Sequence, residues 1–135
     1  MRTAKYLIFF AVLLISGCYS KHDETDALNV AAKINSQLQQ GDFASIYRQA
    51  GPSFRQEGDE SKYVSVMTQY FKETGALRKI TPRAYQSGVD SKAGRHHVLL
   101  FDLEFERGHG RERMVFTRSA SGQMELWDLS IDPLP

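Results

Sequence analysis

The hydrophobic period of the chain changes once, and that change limits the fold more than any motif does. In 26–39, Ala27, Val30, Ala31, Ile34 and Leu38 recur at helical spacing, with Gly41 placed to end the helix. Asp42 is an N-cap for a shorter helix, FASIYRQA, whose Phe43, Ile46, Tyr47 and Ala50 share one face before Gly51-Pro52 stops it. GPSFRQEGDE reads as a loop with Phe54 turned inward. Asp59 and Glu60 favour a third helix, along which Tyr63, Val66, Met67, Tyr70 and Phe71 form a stripe up to Gly75.

Beyond Gly75 the period falls to two. HVLLFDLEFER puts Leu99, Phe101, Leu103 and Phe105 on one face and Asp102, Glu104 and Glu106 on the other. GHG at 108–110 reads as the hairpin loop, RERMVFTR as the next strand, SASG as a turn and QMELWDLSI as the last strand. Upstream, ALRKITPRAYQ is a first strand that Pro82 confines to an edge or a bulge. The expected fold is therefore α+β, with three N-terminal helices packed on one face of a curved four-stranded antiparallel sheet.

The first residues belong to a different regime. Arg2 and Lys5 precede the apolar run YLIFFAVLLI, about 15 Å long as a helix and half of what a membrane span needs. Such a segment is an export signal that is later removed. Ile15-Ser16-Gly17-Cys18 resembles the lipobox of bacterial lipoproteins. The resemblance implies cleavage between Gly17 and Cys18 and a diacylglycerol on the Cys18 thiol, which serves as the anchor in place of any cofactor. A cut after Cys18 by the ordinary signal peptidase is the other reading, since Ser16 and Cys18 are both small; either way the chain is exported.

Expected boundaries are a signal at 1–17, a lipidated N-terminus and short tether at 18–25, and one domain at 26–135. Removing 17 of 135 residues leaves 118, enough for one core. With two of the 17 basic side chains gone, the 16 acidic ones set a formal charge of −1, which argues against an electrostatic grip on nucleic acid. Cys18 is the sole cysteine, so a lipidated chain carries neither a free thiol nor a disulfide. Tyr19 after the cysteine, where an aspartate would act as a retention signal in enteric-type bacteria, resembles sorting to the outer membrane, facing the periplasm.

GDFASIYRQA, a helix ending at Gly75, VLLFDLEFERG…RERMVFTR and SGQMELWDLSI together resemble the nuclear transport factor two-like (cystatin-like) superfamily over about 27–132. The resemblance implies a cone-shaped domain and, among its enzymes, an aspartate base with tyrosine in an apolar cavity. In this chain Tyr47, Tyr70 and Trp127 are the candidate pocket residues for a small ligand or an isomerase- or dehydratase-like reaction. Asp102 and Glu104 lie on the strand face opposite the apolar one, so they are expected to meet water with ordinary acidity. No residue is assigned a catalytic role.

Metal ligation is not expected. His96 and His97 are strand neighbours that point to opposite faces, His109 is in a glycine-flanked turn, His22 is in the tether, and no His-x-x-x-His spacing occurs. Arg78, Lys79 and Arg83 read as a solvated strand edge. The remaining anomaly is VLLF at 98–101: Val98 and Leu100 share a face with Asp102, and Val115 extends the patch on the next strand. A half-apolar, half-acidic sheet face is expected to meet a partner. Taken together, the sequence leads to a non-enzymatic, membrane-anchored envelope lipoprotein that binds an envelope protein or a second copy of itself.

Overall fold

The computed structural model describes residues 20–92 and 94–135. Four helices, α1 (Ser20–Gln40), α2 (Phe43–Gln49), α3 (Pro52–Gln56) and α4 (Glu60–Thr74), precede four strands, β1 (Leu77–Asp90), β2 (Gly94–Phe105), β3 (Gly108–Arg118) and β4 (Met124–Leu134). The strands form an antiparallel meander in the order β1-β2-β3-β4, with the helices on its inner face. This is the expected α+β architecture.

Local signals placed most boundaries. The Asp42 and Asp59 carboxylates accept from the Ser45 and Lys62 amides at 3.3 and 2.7 Å, satisfying amide donors at two helix starts. Gly75 ends α4 at φ +79°, and a Cβ there would lie 2.7 Å from the Glu106 carboxylate, so both backbone and space select glycine. Pro82 sits on edge strand β1 beside a register shift, the setting in which a sheet tolerates a residue without an N–H.

Three boundaries differ from expectation. PSFRQ is a short helix, α3, with Phe54 buried as foreseen. The β2–β3 loop is Glu106-Arg107, and Gly108-His109-Gly110 belongs to β3. Tertiary bonds move it: the Glu106 and Arg107 amides donate to Ala76 and Thr74 carbonyls at 3.0 and 2.8 Å, tying the turn to the end of α4. Residues 20–25, expected as tether, are helical and open α1.

The reason for that early start is an ion-pair clamp. Arg118, near the end of β3, donates to Asp23 at 2.6 and 2.9 Å and to Asp26 at 2.6 Å. Asp23 is only 4% exposed and also lies 3.7 Å from Nε2 of buried His97. His97 Nδ1 in turn meets the Tyr85 hydroxyl at 2.9 Å. Burial keeps the His97 pKa below its ordinary value, against the opposing pull of Asp23, so the imidazole is a neutral hydrogen-bonding link. Beyond the clamp, Ala27 and Ala31 are fully buried and let α1 lie close on the sheet, followed by Ile34 and Leu38.

Removing Arg118 strands a buried carboxylate. Arg118→Leu is expected to lower stability by about 3 kcal/mol, the low end for breaking a buried pair, in urea unfolding. Adding Asp23→Asn should recover part of that loss. A change within about 0.5 kcal/mol, as for an ordinary surface substitution, would show that the clamp does not hold α1.

Candidate functional site

Strand alternation in β3 turns Gly110, Glu112, Met114 and Phe116 inward. Glu112 therefore enters the core, facing the helices between its cross-strand neighbours Phe101 and Ile131. It is 0% exposed, and neither carboxyl oxygen has a hydrogen-bond partner in the protein among the described residues. Desolvation alone pushes its pKa up to about 8. At neutral pH the group is a carboxylic acid, hence a donor.

The opposite wall is α4, where Tyr63, Met67 and Tyr70 at i, i+4 and i+7 share the inner side. The Tyr63 and Tyr70 hydroxyls are buried and also lack a partner among the described residues. Burial raises both phenol pKa values, with the Glu112 charge adding to the shift at Tyr63 and Asp132 at Tyr70. Each unpaired buried group costs about 1–3 kcal/mol. Three such groups share one core with a dense aromatic set: Tyr70 and Phe71 pack edge-on against Phe105 at 5.7 and 5.5 Å.

A cleft of about 210 Å³ opens where α2, α3 and α4 meet the β4 edge. Tyr47, Phe54, Tyr63 and Leu129 form its walls; Glu57, Asp59, Lys62 and Asp128 supply charge around them. The Tyr47 hydroxyl donates to the Gly58 and Arg55 carbonyls at 2.8 and 3.2 Å, which fixes the α3–α4 loop as one side of the opening. Tyr63 joins cleft and core: its ring stands 5.2 Å from Phe54 and 6.0 Å from Tyr47, and its hydroxyl is within electrostatic reach of Glu112.

Of the expected pocket residues, Tyr47 lines this cleft, and Tyr70 belongs to the buried set behind it. Trp127 is not part of either. Val115 pairs with Asp128 and Phe116 with Leu126, so Trp127 is the extra residue of a β4 bulge. Leu126 points into the core, and Trp127, next along, falls on the other side of the sheet. The acid that the sequence reading missed was visible in RERMVFTR, where Glu112 keeps step with Met114 and Phe116.

The outer face departs from the half-apolar, half-acidic surface expected. Val98 and Val115 pair directly, but they are only 9% and 6% exposed, leaving half-buried Leu100 as the open part of the patch. Asp102 is bracketed by Arg111, at 2.9 and 3.0 Å, and by Arg83. Desolvation pushes its pKa upward, yet the two guanidiniums outweigh it and hold the carboxyl below its ordinary value. Arg113 reaches Asp128 at 4.0 Å across the same face. Arginines neutralise Asp102, and neither Asp102 nor Glu104 lines the cleft, both lying on the strand face opposite the core.

His96 and His97 do take opposite faces, and His109 is exposed. Among the described residues no three His, Cys, Asp or Glu side chains are grouped to hold a metal, and no helix is long and apolar enough to cross a membrane. Gly17 and Cys18 lie outside the described residues.

No family model and no curated protein matches the chain. Among solved structures it is similar to a protein from Catenulispora acidiphila, at 12% identity and a TM-score of 0.50, over 82% of this chain and 90% of that one. At that identity the likeness concerns the fold alone.

A raised carboxyl pKa links stability to pH. Folded Glu112 keeps its proton up to about pH 8, whereas the unfolded chain releases it near the ordinary carboxyl value of 4.5. Its stabilising protonation is therefore complete below pH 4.5 and is lost as pH rises through 8, at about 1.4 kcal/mol per pH unit in between. Urea titrations should show the wild type weakening between pH 5 and 8 and Glu112→Gln nearly flat over that window. Parallel curves for the two proteins would mean that Glu112 is ionised in the fold.

Proposed function

We propose that the chain is an exported lipoprotein, anchored through Cys18, whose domain binds a small, mostly apolar ligand by its hydrogen-bond-accepting end. One observation carries the binding reading: a carboxylic acid sealed in the core with neither oxygen partnered among the described residues, within electrostatic reach of the equally unpartnered Tyr63 phenol, whose side chain also lines the cleft. A fold that only needed a packed core would gain by an apolar residue at 112, because an unpaired acid is among the costlier groups to bury. Two neighbouring O–H donors, the Glu112 acid and the Tyr63 phenol, suit a carbonyl, amide or ether oxygen.

The cleft, at about 210 Å³, is smaller than the roughly 300–1,000 Å³ of drug-sized sites. It admits a ligand of few heavy atoms, with Tyr63 as the side chain that must turn for the acceptor to reach Glu112. No chemical step is assigned. Binding through the outer sheet face receives less support, since Val98 and Val115 are already covered within one copy.

The mature protein in detergent, screened by ligand-observed NMR against small amides, ketones and ethers, is expected to bind some of them below pH 8 and to lose them as Glu112 ionises. Glu112→Leu should remove binding while raising stability, and Tyr63→Phe should weaken binding. Equal binding by the Leu variant, or no binder in the panel, would overturn the site. The anchor has its own test: radioactive palmitate should label the wild type and leave Cys18→Ser unlabelled.

A further inference from the structure

The position of the clamp limits where the domain can be relative to a membrane. Helix α1 is already formed at Ser20, two residues after Cys18, and is locked to the sheet at Asp23 and Asp26 by Arg118. Two residues span at most ~7 Å, where an unstructured tether from 18 to 25 would span up to ~27 Å. The headgroup layer is itself roughly 5–7 Å thick on each side of the hydrocarbon core. An anchor at Cys18 therefore leaves the clamped end of the domain no room to stand clear of the headgroups.

That end is defined by the topology. Arg118 and His97 lie where β1 turns into β2 and β3 into β4, while the β2–β3 turn and the end of α4 lie at the other end. The β1–β2 hairpin also overhangs: its pairs Val89↔Arg95 and Asp90↔Gly94 continue past the last β2–β3 pair, His96↔Thr117. The overhang carries Val89, at 72% exposed the most open large apolar side chain among the described residues, with exposed Lys92 and Arg95 beside it. An apolar side chain flanked by cationic ones matches the boundary between acyl chains and lipid phosphates.

Resting on the lipid-anchor reading above, we propose that the β1–β2 hairpin tip and the first turn of α1 form a membrane-contact surface, seated on the lipid headgroups by the Arg118 clamp. The far end of α1 then points away. Gln39 is sixteen residues beyond Asp23, about 24 Å further along the helix.

The sole cysteine makes the test clean, since lipidation consumes its thiol and an introduced cysteine becomes the only reactive one. Full-length, processed Val89→Cys and Gln39→Cys proteins, each carrying an environment-sensitive fluorophore, are bound to vesicles of phosphatidylethanolamine and phosphatidylglycerol containing a headgroup nitroxide lipid. Quenching at position 89 is expected to exceed that at 39 several-fold. Equal quenching in protein that floats with the vesicles and takes up palmitate would overturn the contact surface and leave the anchor standing. Protein that neither floats nor takes up palmitate would overturn the anchor, and the contact surface with it.

Discussion

A meander sheet with one apolar face has to be covered, and the way four helices cover it sets everything else. Leu99, Phe101, Leu103 and Phe105 on β2 and Met114 and Phe116 on β3 are buried under α1, α2 and α4. The burial is non-directional and would accept many helix placements. Directional contacts choose among them: the Arg118 clamp seats the start of α1, the Asp42 and Asp59 caps start α2 and α4, and the Glu106-Arg107 turn holds the end of α4.

One residue on that covered face does not conform. Glu112 occupies a position where its strand neighbours are Met114 and Gly110, and the fold bears the cost of an acid with no partner among the described residues. The desolvation that penalises the charge also keeps the acid protonated, which converts the group from an acceptor into a donor. Tyr63, shared by cleft and core, connects this group to the surface. The site and the stability of the domain are thus two consequences of one misfit, and a variant that relieves the misfit alters both.

The two polar clusters of the interior behave in opposite ways. Around Asp23 each polar group has a partner: Arg118 donates to Asp23 and Asp26, and neutral His97 meets the Tyr85 hydroxyl. Around Glu112 nothing is matched. A satisfied network rigidifies what it touches, while an unsatisfied one is open to a further hydrogen-bonding group. The contrast makes the first cluster architectural, and the second is the one on which the binding proposal rests.

Sequence by itself determined the period change and with it the fold class, the helix caps, Gly75, the edge position of Pro82, and the opposed faces of His96 and His97. These depend on contacts within a few residues or on strict alternation, both readable in one dimension. Alternation also carried the inward direction of Glu112, though its meaning stayed hidden. Only the tertiary structure decided that residues 20–25 are helix, that Glu106-Arg107 is the turn, that a β4 bulge puts Trp127 across the sheet from the cleft, and that two arginines bracket Asp102. Each of those rests on pairs far apart along the chain, Asp23 with Arg118 above all, and long-range pairing leaves no local trace.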